Sequence, residues 1–149
     1  APAVRATVGS GYAVFADVVP TMRALHEIGI KTAVISNADR DVTALCAHFA
    51  FAHEMDLIVT SALVGWEKPV VRTFQAAFEP LGVEPAAALH IGDQPRSDVA
   101  GALAAGMRAT LIDRYARLDQ GEFDVPVCRN FAALLAHVDD VNAAQLAGR

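Results

Sequence analysis

The stretch Leu89-His90-Ile91-Gly92-Asp93-Gln94-Pro95-Arg96-Ser97-Asp98-Val99-Ala100-Gly101-Ala102-Leu103-Ala104-Ala105-Gly106 decides how this chain is read. An apolar run stops at Gly92 and Asp93, a second carboxylate follows at Asp98, and a small-residue helix ends at Gly106. Open α/β sheets place their chemistry where strands deliver side chains at their carboxyl ends. Two aspartates flanking such a tip form a hard-oxygen site of the kind Mg²⁺ prefers. The same residues also fit a plain strand-turn-helix in which Asp98 only caps the helix.

Outward from this stretch, helix and strand patterns alternate. Asp17 can cap a helix from Val18 to Ile28, with Met22, Leu25 and Ile28 on one face and Gly29 ending it. Lys31 to Ser36 reads as a strand, and Asp39 as the cap of a helix through Phe49. Leu57 to Thr60 is a further strand. Pro69 starts a helix that runs to Phe78, broken by Pro80 and Gly82. Ala87–Ile91 and Ala109–Ile112 are buried strands on either side of an Asp98–Ala105 helix. Asp113 to Asp124 is a polar surface loop, Val125–Cys128 a weaker strand, and Phe131–Val138 a last helix before a frayed tail. In Ala1 to Ala16, Gly9-Ser10-Gly11 interrupts any regular element. Short strands alternating with helices predict right-handed βαβ units, hence a three-layer, Rossmann-like α/β domain with a mostly parallel sheet.

With 149 residues the chain is one domain's worth, and with 54% hydrophobic and 19% charged residues it is globular. A formal net charge of −5 argues against nucleic acid or an anionic membrane as a partner held by bulk electrostatics. No apolar run approaches the ~20 residues that span a bilayer, and no secretory signal is visible. Cys46 and Cys128 match no metal spacing and read as reduced thiols of a cytoplasmic protein.

Three chemical sites fall at strand ends. Ser36 and Asn37 follow Ala33-Val34-Ile35, where a hydroxyl and free backbone N–H groups ahead of a helix can seat a phosphate or simply shape the turn. Lys68 precedes Pro69, which restricts its backbone and so fixes where the ammonium points; a solvated surface lysine is the plainer reading. The third is the Asp93 and Asp98 pair. Parallel strands bring such ends to one side, so Ser36, Lys68 and Asp93 are expected to converge, with Asp98 just behind.

In that order and spacing the sites resemble the haloacid dehalogenase superfamily of hydrolases, in particular its capped, phosphatase-like members. Ser36 with Asn37 matches the family's second motif, Val64-Gly65-Trp66-Glu67-Lys68-Pro69 its third, and Gly92 to Asp98 with the run to Gly106 its fourth. The resemblance covers Asp17 to Val138. It implies that Ser36 and the Asn37 region hold phosphoryl oxygens, that Lys68 neutralises charge on nucleophile and phosphate, and that Asp93 binds Mg²⁺. Asp98 would bind the metal directly or orient Lys68. The implied partner is a small phosphorylated molecule.

The family's first motif, Asp-x-Asp on the central strand, has no match. The apolar run from Tyr12 to Ala16 leads to Asp17, but the second-aspartate position is Val19, which cannot shuttle protons. The chain thus resembles the later part of such an enzyme, a single domain over residues 1–149 without nucleophile strand and cap. The strands Lys31–Ile35 and Ala87–Ile91 would then flank a slot, filled by the Ala3–Phe15 segment, a partner chain or an N-terminal fragment. Little or no phosphatase turnover is expected of this chain alone. The alternative is a catalytically inactive domain of the same fold with a binding or regulatory role. A dehalogenase, which needs no metal, fits the Gly-Asp-x-x-x-x-Asp pattern less well. A nucleotide-binding Rossmann domain fits less still, since Val8-Gly9-Ser10-Gly11 lacks the third glycine.

Overall fold

Two β-branched runs form the first parallel pair. β3 (Ala33–Ser36) and β4 (Leu57–Thr60) align Ala33 with Leu57 and Ser36 with Thr60. β5 (Leu89–Gly92) pairs in parallel with β6 (Arg108–Ile112), and β6 with β7 (Val127–Cys128). The computed structural model describes residues 6–7, 13–136 and 138. Within them lie also a small antiparallel pair, β1 (Ala6–Thr7) with β2 (Ala13–Val14), and helices α1 (Val18–Glu27), α2 (Thr43–His48), α3 (Ser61–Val64), α4 (Val71–Leu81) and α5 (Gly101–Ala104), with residues 131–136 helical near the end. This is the expected α/β fold, with the four expected strands paired only in parallel. They fall, however, into two sheets rather than one: β3-β4 and β5-β6-β7.

Among the described residues no strand bridges β3 and β5. Both edges line one cavity of about 670 Å³, through Ala33, Val34 and Ile35 on one side and Leu89, His90 and Ile91 on the other. The sequence reads β5 as a buried strand. It is half-buried along its whole length, as is most of β3, because each pairs on one side only. β6, flanked on both sides, buries Ala109, Thr110 and Leu111 instead.

The core gathers where α4 and α5 meet β6: Phe74, Phe78, Val99, Ala102, Met107, Ala109 and Leu111. Helix contact is close enough that a Cβ on Gly101 would lie 2.8 Å from the Phe74 ring and 2.9 Å from the Pro69 backbone. Leu118 and Phe123, in the loop expected on the surface, pack against this core, and the Asp113 carboxylate accepts from the Arg117 and Leu118 N–H groups to hold that loop. Cys46 is buried, Cys128 half-buried, and neither forms a disulfide; burial pushes both thiols up. No described helix is long and apolar enough to cross a membrane.

Local signals fail where tertiary contacts outbid them. Asp17 precedes α1 but caps nothing: both its carboxylate oxygens accept from Arg114, at 2.9 and 3.1 Å, and Oδ2 also from the Phe131 N–H at 2.7 Å. Ile28 lies outside α1's buried face and is exposed, while Thr21 and Leu25 are buried. Asp39 does not cap α2; Asp41 accepts from the Thr43 N–H and hydroxyl, and the helix begins at Thr43. α4 runs through Pro80 to Leu81: Pro80 gives up its bond to the residue 76 carbonyl, the helix continues by one residue only, and the left-handed Gly82 ends it. The helix expected from Asp98 is a π-helical stretch, Pro95–Ala100, leading into α5. Residues 8–12, with Gly9-Ser10-Gly11, and those beyond residue 138 lie outside the described residues.

The Asp17 carboxylate ties α1 to the far end of the chain. Burial pushes its pKa up, but the hydrogen bonds from Arg114 and Phe131 outweigh burial and hold it below the usual carboxylate range. Arg114 in turn stacks over Phe15 at 3.9 Å and Phe131 at 5.2 Å. A depressed carboxyl contributes stability that is present above the unfolded pKa, near 3.9, and lost as pH falls through the folded value. Arg114→Met is therefore expected to cost about 2 kcal/mol at pH 7. In urea denaturation the gap from the parent chain should narrow steadily below about pH 4.

Candidate active site

Loops following three strands meet at Lys68. After β3, Asn37 clasps the Lys68 backbone: its Oδ1 accepts from the Lys68 N–H at 2.7 Å, and its Nδ2 donates to the Lys68 carbonyl at 2.9 Å. After β4, the Ser61 hydroxyl accepts from the Ala38 N–H and donates to the Ala38 carbonyl, both at 2.9 Å, and Thr60 Oγ1 accepts from the Val42 N–H. The loop behind Ser36 is thereby bound to both the end of β4 and the lysine. The Lys68–Pro69 peptide bond is cis.

The third loop supplies the lysine's partner. Lys68 Nζ donates to Asp98 Oδ1 at 2.5 Å, with the two side chains 12% and 5% exposed. The same oxygen lies 3.0 Å from His90 Nε2, and Oδ2 accepts from the Gln94 N–H at 3.0 Å. Burial raises the Asp98 pKa, yet the bonds from His90 and Lys68, with the charge of Lys68, outweigh it and hold the carboxyl far below its ordinary value. A buried charge that is paired and hydrogen-bonded is tolerable where an isolated one is not. Gly92 makes room: a Cβ there would stand 2.1 Å from Asp98 Cγ.

The structure thus joins Asn37, Lys68 and Asp98 through direct contacts. Ser36 ends β3 half-buried, beside Asn37, and Asp93 follows Gly92 at the end of β5 with its side chain exposed. Sequence reasoning left Asp98 two roles, and here its oxygens are taken by Lys68, His90 and Gln94. Among the described residues no group of three or more His, Cys, Asp or Glu side chains is arranged to hold a metal. Mg²⁺ keeps several waters and commonly takes one or two carboxylates plus substrate phosphate oxygens. The exposed Asp93 fits that chemistry better than the buried Asp98, whose two oxygens already accept from Lys68, His90 and Gln94. His90, Thr60 and Ser61 escaped the sequence reading. For His90 a signal existed, since residues 90, 92 and 94 share the period-two spacing of one strand face.

Residues 3–106 match the haloacid dehalogenase-like hydrolase family. The haloacid dehalogenase-like hydrolase domain-containing protein 3 of Bos taurus is 35% identical over 118 residues, which cover 79% of this chain and 47% of that protein. The phosphoserine phosphatase of Thermus thermophilus is 36% identical over 95 residues, 63% of this chain and 38% of that one. The chain spans about half the length of such relatives or less. Among solved structures, an HAD phosphatase from Thermococcus onnurineus superposes with a TM-score of 0.79 at 27% identity, covering 85% of this chain and 58% of that one. A 2-haloacid dehalogenase from Pseudomonas syringae superposes with a TM-score of 0.76 at 26% identity, covering 88% and 56%.

Because the pocket for the Asp98 carboxylate is shaped around a missing side chain, Gly92→Ala must push Asp98 out or bend β5. The expected cost is about 3 kcal/mol, at the upper end for overpacking by one methyl group. The measurement is the denaturation midpoint beside Gly121→Ala, where an added Cβ finds ordinary contact and a near-neutral change is expected.

Proposed function

The chain belongs to the haloacid dehalogenase-like hydrolase family, and from that premise we propose that it forms the phosphate-handling part of a Mg²⁺-dependent phosphatase acting on a small phosphorylated molecule. The observation that carries this reading is the fixed ammonium of Lys68, clasped through its backbone by Asn37 and through its side chain by Asp98. Phosphoryl transfer needs little else from a protein than positioned charge, because the transferring oxygens carry the negative charge and the transition state is loose. Lys68 neutralises that charge, Ser36 and the Asn37 region hold phosphoryl oxygens, and Asp93 would hold the metal. Mg²⁺, when bound, would supply further positive charge to the phosphate oxygens. Asp98 serves as the lysine's anchor. An exposed Asp93 directly after β5 supports the phosphatase over a dehalogenase, whose halide-bearing substrate needs no metal.

Asp17 is not the nucleophile in this reading, since both its oxygens are held by Arg114. The nucleophile belongs to a strand between β3 and β5, supplied by an N-terminal fragment or a partner chain. Both unpaired edges line the cavity of about 670 Å³, the place such a strand would fill. The carboxyl end of a strand laid parallel to both would arrive at Lys68.

The same clamp on Asp17 favours a second reading, a domain that binds phosphate or a partner without turnover. Release of inorganic phosphate from a panel of small phosphomonoesters separates the two. A form extended upstream to the length of the relatives should turn over with Mg²⁺, stop when the metal is chelated, and lose about 10²–10³-fold in kcat/KM on Lys68→Ala. The chain as it stands should show little turnover. Robust turnover by this chain alone, abolished by Asp17→Asn, would overturn the assignment of the nucleophile. No turnover by either form would favour the binding domain, and halide release from haloacids in place of phosphate release would favour the dehalogenase.

A further inference from the structure

We propose that His90 is a positioning residue that holds the Asp98 carboxylate, and through it the Lys68 ammonium, in one orientation; its catalytic consequence rests on the phosphatase reading above. The segment from His90 to Gln94 builds the carboxylate's seat on every second residue. His90 Nε2 meets Oδ1 at 3.0 Å, Gly92 leaves the space that the carboxyl carbon fills, and the Gln94 N–H meets Oδ2 at 3.0 Å. Alternate residues of an extended segment face one way, so these three act as one surface.

His90 and Lys68 converge on the same oxygen. Without the imidazole, the carboxylate keeps only the Gln94 N–H on Oδ2 and the lysine on Oδ1, and can pivot about the first while carrying the second with it. The imidazole itself cannot swing away: its side chain is 10% exposed, and its ring stands edge-on against fully buried Phe74, centroids 5.1 Å apart at 88°. A ring fixed by packing and donating from Nε2 passes its rigidity to the carboxylate, in the way that outer hydrogen-bond partners orient a site's primary groups. No sequence motif quoted for the family includes this residue.

The chain contains two lysines, Lys31 and Lys68, which makes a direct readout possible. Amine acetylation with limiting acetic anhydride, followed by mass spectrometry, reports how freely each ammonium leaves its partner. Lys31 donates to the Leu81 carbonyl and is exposed, so it serves as the internal reference. In His90→Asn the amide stops short of Oδ1; in His90→Gln it reaches as far as Nε2 does. The Lys68/Lys31 labelling ratio should rise about fivefold in His90→Asn, the factor for one weakened hydrogen bond to a charged acceptor, and return to the parent value in His90→Gln. Unchanged ratios in both variants would overturn the proposal, as would equal rises in both, which mark a packing role. In the upstream-extended form, His90→Asn should lower kcat about tenfold with KM little changed, and His90→Gln should restore it. A labelling change in a protein that hydrolyses no phosphomonoester would leave the positioning role standing and overturn the phosphatase reading alone.

Discussion

The buried pair of Lys68 and Asp98 organises everything around it. A carboxylate with 5% of its side chain exposed is tenable only while its lone pairs are met. Meeting them requires a lysine delivered by the loop after β4, an imidazole from inside β5, a backbone N–H from the turn after β5, and a glycine where any side chain would collide. The π-helical turn of Pro95–Ala100 carries the aspartate to that place, and such wide turns recur at functional positions. One charge pair thereby dictates residue choice at Lys68, His90, Gly92 and Asp98.

The second constraint is the division of the sheet. Strand edges expose rows of unpaired backbone groups, and proteins cover or pair them. Here the β3 and β5 edges face a shared, largely apolar cavity, and the two half-sheets are held in register from outside it, by α4 packing on β3 and β4 and by α5 packing on both α4 and β6. The Asn37–Lys68–Asp98 relay crosses the same gap at the carboxyl ends of the strands. Frame and site are therefore one structure: what holds the half-sheets apart also fixes the ammonium between them.

Much of this was legible in the residues. Leu57–Thr60 appears as read, and β3, β5 and β6 lie within two residues of their expected limits, because apolar, β-branched runs between breakers specify strands locally. Pairing along the sheet followed from the βαβ alternation. Burial did not: β5 looks as apolar as β6, and only its place at a sheet edge leaves it half-covered. The aspartates were the least legible. Asp17 and Asp39 both stand where caps belong, but a guanidinium from residue 114 takes the first and Asp41 displaces the second. Long-range partners leave no mark in local sequence, and the same is true of the hydroxyls of Thr60 and Ser61 that secure the loop behind Ser36.

The bond from Asp17 to Phe131 spans 114 positions, and that to Arg114 spans 97. On a ribosome adding about 5–20 residues per second, Asp17 is synthesised about 5–23 s before its partners. Through that interval β3 and β4 can already pair, because their contacts are close in sequence and the loop between them is cheap to close. The nascent chain thus passes through a half-sheet that carries α1 on its Arg23–Glu54 pair while the donors to Asp17 are still to come. Only when Arg114 and then Phe131 follow does the Asp17 carboxylate gain the donors that hold it.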